Sequence, residues 1–170
     1  MPVLPASTED IPELVTLINS AYRGEASKKG WTTEADLLKG ELRTDIPTLT
    51  SLFNNLQAVI LKCISAENII NGSVYLEKQK RGLYLGMLSV SPLLQASGIG
   101  RQLMFAAENY ARENNCSCIF MNVISVRPEL IAWYERLGYQ KTGETKPLPE
   151  DTRFGVPVQP LEFAIMQKEM

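Results

Sequence analysis

Histidine is absent from the 170-residue chain. Its absence removes Cys/His zinc sites and every histidine-based nucleophilic triad, so no metal ligand set is expected. Cysteine is scarce: there are three, an odd number that supports no disulfide framework. Cys116 and Cys118 lie two apart near the start of a strand and read as reduced core residues. No apolar run reaches the roughly 18 residues of a membrane span, and the N-terminus lacks the pattern of a signal peptide. The expectation is a cytoplasmic protein with no membrane partner. Neither sign of charge dominates. Lys and Arg number 17 against 19 Asp and Glu, a formal net charge of −2 that leaves no basic footprint for nucleic acid. Internal repeats, charge blocks and low-complexity segments are also missing. What remains is a chain with 45% hydrophobic residues, ordinary for a globular protein and long enough to bury one core, so residues 1–170 are read as a single domain.

Periodicity then orders the chain. Pro2 to Ala6 can form a short first strand, and Ser7 or Thr8 caps a helix running to about Tyr22, with Pro12 early in it where proline is tolerated. Residues 23–30 are polar and glycine-punctuated, a loop. Thr32 or Thr33 caps a second helix to about Arg43, and a third short helix begins near Pro47. Residues 57–65, 69–78 and 82–90 read as three strands of an antiparallel meander, with a bulge or turn at Asn71-Gly72. An amphipathic helix follows from Gly98 to about Asn114, then a strand at 119–124 and a helix at 127–137. Two last strands, near 139–145 and 161–168, flank a long loop with Pro147, Pro149, Pro157 and Pro160.

One junction carries chemistry. The apolar run 83–90 is followed by Leu94-Gln95-Ala96-Ser97-Gly98-Ile99-Gly100-Arg101, which opens the amphipathic helix. First-turn N–H groups lack intrahelical partners and the helix dipole adds partial positive charge there, so a strand, a glycine turn and a helix start together bind anions. The residues exclude two familiar nucleotide motifs. A P-loop needs Lys and Ser or Thr after its last glycine, where Arg101 and Gln102 stand. A dinucleotide fingerprint needs a small residue three places after Gly100, where Leu103 stands. Further on, Tyr134, Gly138 and Tyr139 follow the next strand, with Gly138 placed to cap a helix end.

The spacing Gln95-x-x-Gly98-x-Gly100, followed by Tyr134 and Gly138-Tyr139, resembles the GNAT superfamily of acyl-CoA N-acyltransferases. The resemblance spans essentially the whole chain and is specific between about Tyr84 and Tyr139. It implies an α+β fold: a mixed, mostly antiparallel central sheet flanked by helices, in which two parallel strands splay apart at the cofactor site. It implies acetyl-CoA as cofactor, with the pyrophosphate on the turn from Gln95 through Ala96, Ser97, Gly98, Ile99 and Gly100 to Arg101. The pantetheine arm would pair with the main chain of Leu88, Ser89 and Val90. Ser97 stands where members often carry Arg or Lys, so the pyrophosphate would rely on main-chain N–H groups. Arg127 and Leu130 stand where an Asn and an Ala often line the cofactor channel.

The implied reaction moves an acetyl group to a primary amine of a small molecule or peptide by direct attack. Tyr134 would protonate the departing thiolate, and the Leu88 N–H would polarise the thioester carbonyl. In many members a Glu on the strand before the turn acts as base; Tyr84 stands at that place and no carboxylate occurs in residues 82–90, so the base is unassigned. Trp31 and Glu34 in one cluster, and Arg153 and Phe154 in another, are candidates for the acceptor pocket, because long loops on a small domain carry recognition. A homodimer is compatible with this reading. The alternative is a non-catalytic acyl-CoA-binding or regulatory module on the same fold.

Overall fold

The computed structural model describes the whole chain, Met1–Met170. β1 (Val3–Pro5) leads through a 3-10 turn (Thr8–Asp10) into α1 (Ile11–Tyr22), and a short α2 (Gly24–Ser27) follows. β2 (Leu38–Lys39) and α3 (Ile46–Phe53) precede the meander β3 (Ala58–Ile64), β4 (Ile70–Lys78) and β5 (Leu83–Val90). Then come α4 (Ile99–Glu113), β6 (Cys118–Ile124), α5 (Pro128–Arg136), β7 (Gln140–Pro147), β8 (Val156–Pro157) and β9 (Glu162–Glu169).

Seven strands form one sheet in the order β1-β3-β4-β5-β6-β9-β7, and β2 pairs with β8 apart from it. Every neighbouring pair in the large sheet is antiparallel except β5 and β6. That parallel pair is joined by α4, the crossover helix that parallel strands require. The mixed α+β architecture expected from the sequence is present. The Asn71-Gly72 bulge is present too: Cys63 faces Gly72 while Ile64 faces Ile70, which leaves Asn71 as the extra residue.

Helices cover both faces. α1 and α3 pack over one, where Leu14, Ile18 and Leu49 close a smaller core with Ile60, Ile70 and Tyr75. α4 and α5 cover the other, where Leu103, Met104, Ile131, Tyr134 and Tyr139 join the inner residues of β3 to β6 in the larger core. Leu103 is fully buried at its centre. Truncation to alanine there should cost about 2–5 kcal/mol of stability, read from the midpoint of urea unfolding.

The first third of the chain departs from expectation at two places. The helix expected from Thr32 to Arg43 does not form; a single turn, in which Leu37 and Leu38 N–H donate to Glu34 O, leads into β2. The groups that would start that helix are taken elsewhere. Gln95 Oε1 accepts from Trp31 N–H (2.7 Å) and Thr32 N–H (3.2 Å), and the Thr33 hydroxyl bonds Ser27 Oγ at 2.6 Å. Conversely, residues 24–27 of the expected loop close into α2, with Ser27 Oγ donating to Gly24 O. The proline-rich loop also holds β8, whose pairing of Leu38 with Pro157 ties it to the other loop.

Candidate active site

The splay between β5 and β6 creates the site. The two strands pair only at Leu83 with Ile119 and Tyr84 with Phe120, whereas β9 keeps pairing with β6 as far as Ile124. Beyond Tyr84, β5 therefore has an open edge. Ser89 faces Ser73 of β4, and Ser91 N–H donates to Asn71 O. By antiparallel alternation the main-chain groups of Ser89 point to β4 and those of Leu88 and Val90 point to the gap. Side chains already hold two of the carbonyls: Tyr22 Oη donates to Leu88 O, and Gln95 Nε2 donates to Val90 O at 3.1 Å. The N–H groups of Leu88 and Val90 remain directed at the gap. A bulge prepares this edge: the register slips between Ser73 and Tyr75, and Met87 sits at φ +47°.

At the end of β5 the turn into α4 gathers free main-chain donors. Ala96 (φ +66°) and the N-cap Gly98 (φ +92°) both take left-handed conformations. No hydrogen bond is donated by the main chain from Ala96 to Arg101; the first is Gln102 N–H to Gly98 O, 3.0 Å. These free donors end the 15-residue α4 at its positive pole. Gly98 has open space around it, so its conformation is what glycine serves there, whereas a Cβ on Gly100 would stand 3.4 Å from Trp133.

A cavity of about 390 Å³ lies over this turn, lined by Gln95, Ala96, Gly98, Gly100 and Arg101 together with Trp31 and Trp133. A second cavity, of about 510 Å³, lies on the other side of the splay and includes Glu34, Arg43, Lys146 and Phe154 in its walls. Tyr22, Leu88, Leu130 and Tyr134 line both. Tyr134 thus stands where the two spaces meet.

Its placement is built locally. Gly138 (φ +93°) ends α5, with Gly138 N–H donating to Glu135 O and Tyr139 N–H to Tyr134 O. This is a Schellman cap, and it buries Tyr139 beside Tyr134 with ring centroids 6.1 Å apart. Trp133 meets the Tyr134 ring edge-on at 5.0 Å, and Trp31 meets Trp133 at 6.2 Å. The hydroxyls of Tyr22 and Tyr139 are bonded to Leu88 O and Glu108 Oε1, but that of Tyr134 has no partner in the protein. Burial pushes the Tyr134 phenol far above its usual pKa, with the neighbouring Tyr22 adding to the shift. Burial, reinforced by Glu34, likewise raises Tyr22 to about 12. Both phenols are neutral at pH 7.

The wider cavity is organised by a buried charge cluster. Glu34 accepts from Arg23 Nη1 at 2.6 Å and lies 3.7 Å from Arg127 Nη1. Arg23 also donates to Phe154 O, and Arg127 Nη2 to Trp31 O. One carboxylate so joins α1, the proline-rich loop and the start of α5.

The sequence candidates distribute unevenly over these spaces. Leu88, Val90, Gln95, Ala96, Gly98, Gly100 and Arg101 reach the smaller cavity; Ser89, Ser97 and Ile99 do not line it. Ser97 Oγ donates to Leu94 O, and the Ile99 side chain belongs to the core. Glu34 and Phe154 line the wider cavity. Trp31 lines the smaller one instead, and Arg153 lines neither, turned to Asp151 at 2.7 Å. Tyr22 went unnoticed in the sequence because it ends α1 as one more residue of an apolar face, and Arg43 because it fell inside an expected helix.

Comparison with known proteins agrees with this architecture. The profile of the Acetyltransferase (GNAT) family matches residues 31–139. A curated relative, acetyltransferase Atu2258 of Agrobacterium fabrum (strain C58 / ATCC 33970), is 28% identical over 82 residues, covering 48% of this chain. The match spans only 58% of that relative's length. Among solved structures, ribosomal-protein-alanine N-acetyltransferase of Brucella melitensis superposes with a TM-score of 0.75 at 18% identity, over 100% of both chains. The yncA protein of Salmonella typhimurium, solved with its cofactor acetyl-CoA, gives 0.73 at 16% identity over 99% of this chain and 93% of its own. These two likenesses concern the fold, and the profile match concerns descent: the chain belongs to the GNAT acetyltransferase family.

Proposed function

We propose that this protein is an acetyl-CoA-dependent N-acetyltransferase that moves an acetyl group directly to a primary amine. The observation that carries the reading is the meeting of two cavities at Tyr22, Leu88, Leu130 and Tyr134. A thioester arriving from the anion-binding turn and an amine arriving from the wider cavity would come together there. The pyrophosphate rests on the main-chain N–H groups of the Ala96–Arg101 turn, and the pantetheine arm runs along the open edge at Leu88 and Val90. A family structure with acetyl-CoA bound, that of yncA, has the same fold and supports the choice of cofactor. The free Cys63, Cys116 and Cys118 suit a reducing cytoplasmic setting.

In the reaction the amine lone pair attacks the thioester carbonyl and the C–S bond breaks. The Leu88 N–H stabilises the developing oxyanion, and the Tyr134 phenol gives its proton to the thiolate. The proton lost by the new amide nitrogen returns to the phenolate, so acetyl-CoA and amine become CoA thiol and amide with no net proton change. Release of CoA thiol in the presence of an amine panel tests the proposal. CoA binding without thiol release from any amine would instead support a binding or regulatory module.

Because burial raises the Tyr134 pKa, its phenol stays protonated as the pH rises through the usual tyrosine range. The rate at saturating substrates should show no falling limb between pH 6 and about 10. A limb near pH 9 that vanishes in Tyr134→Phe would contradict the raised pKa while keeping Tyr134 as the acid.

A further inference from the structure

The wider cavity carries an uncompensated positive charge close to the point where the two spaces meet. Five charged residues line it: Arg23, Arg43, Lys146, Glu34 and Asp151. Both carboxylates are already neutralised, Glu34 by Arg23 and Arg127, Asp151 by Arg153. Arg43 and Lys146 form no ion pair with any residue of the protein. The main chain at Arg43 is also fixed in place. Asn19 Oδ1 of α1 accepts from its N–H at 2.6 Å and from Thr44 N–H at 3.0 Å, and the Arg43 guanidinium lies 6.0 Å from the Tyr22 ring centroid. Tyr22 is one of the four residues shared by the two cavities. A guanidinium without an ion-pair partner therefore lies beside a residue shared by both cavities, and no unpaired carboxylate lines the wider one.

We propose that the acceptor is a small monoamine that carries its own carboxylate next to the amine, an α-amino acid, with the carboxylate on Arg43 and Lys146 flanking it. The proposal rests on the acetyltransferase reading above. Leu38, Met87, Phe154 and Phe163 give the remaining wall an apolar character, which suits an apolar side chain. A surplus of positive charge also favours the neutral form of a bound amine. It thereby does part of the work of the base that β5 lacks. Polyamines meet like charge in this cavity and are disfavoured.

The test compares acceptors that differ by the carboxylate alone: L-leucine with isopentylamine, and L-phenylalanine with phenethylamine, with spermidine as the polycation. Thiol release from acetyl-CoA gives kcat/KM for each. In at least one pair the amino acid should exceed its decarboxylated partner by about tenfold or more, the worth of one charge-assisted pair, with spermidine lowest. Arg43→Gln should shrink that ratio about tenfold, chiefly through KM, and Arg43→Lys should restore part of it. If Arg43→Gln does not fold, Lys146→Gln reads the same ratio. Decarboxylated amines or spermidine turned over as well as the amino acids, or a ratio unmoved by the variants, would overturn the proposal and leave the acetyltransferase reading intact. Thiol release from none of these acceptors would count against the enzyme reading itself. Calorimetry on the CoA-loaded protein then decides separately: amino acids binding no tighter than their amines would overturn the proposal.

Discussion

Tyr134→Phe should lower the rate of acetyl transfer by about 10²–10⁴-fold, the usual worth of a positioned general acid. The substitution removes one oxygen from a ring that is otherwise held by Trp133, Tyr139 and the Schellman cap at Gly138. Because that hydroxyl has no hydrogen-bond partner in the protein, its loss leaves no buried group unpaired and should move the melting temperature little. CoA affinity should hold as well, since the proposed site for the cofactor's charges is the turn before α4. The separation of rate from stability is what makes the experiment decisive. It is read as the single-turnover rate at saturating acetyl-CoA beside a thermal melt. A rate within about threefold of wild type would remove Tyr134 from proton transfer and leave it as a packing residue.

Valine at Gly98 should weaken CoA binding by about 10–100-fold while the protein remains folded. Gly98 lies at φ +92°, a conformation that costs a β-branched residue about 1–3 kcal/mol. Nothing lies within 4 Å of the added Cβ, so the penalty falls on the backbone of the turn and not on the core. Relief of that strain would turn the N–H groups of residues 96–101 away from their common focus. Gly98→Asn is the companion variant, because asparagine tolerates the left-handed region and should keep most of the affinity. At Gly100 the effect is of another kind: an added Cβ makes ordinary contact with Trp133 in the wall of the smaller cavity, so a valine there narrows that cavity without straining the turn. Calorimetric titration with CoA measures all three. Unchanged affinity in both valine variants would move the pyrophosphate off this turn.

The two thirds of the chain from residue 57 onward were legible because their elements are local and strongly periodic. β3, β4 and β5 are apolar runs between turns, α4 has one broad apolar stripe, and Gly138 marks the end of α5. The spacing of Gly98, Gly100 and Tyr134 was likewise visible, since a left-handed N-cap and a helix end leave marks in neighbouring residues. Residues 23–43 were not legible. Thr32 and Thr33 have the chemistry of helix caps, and only the approach of Gln95, more than sixty positions later, claims the N–H groups of Trp31 and Thr32.

By itself, then, the sequence determined the absence of histidine chemistry, the α+β order of elements and the glycine turn that opens α4, all consequences of residue type and near-neighbour spacing. Tertiary structure decided the rest. It set the length of the β5–β6 splay, the bulge at Met87, the sharing of Glu34 between Arg23 and Arg127, and the unpaired Arg43 beside Tyr22. Each of these depends on which distant side chain occupies a space or satisfies a charge. That competition is settled only when α1, the proline-rich loop and the end of β5 pack together, and no local propensity encodes it.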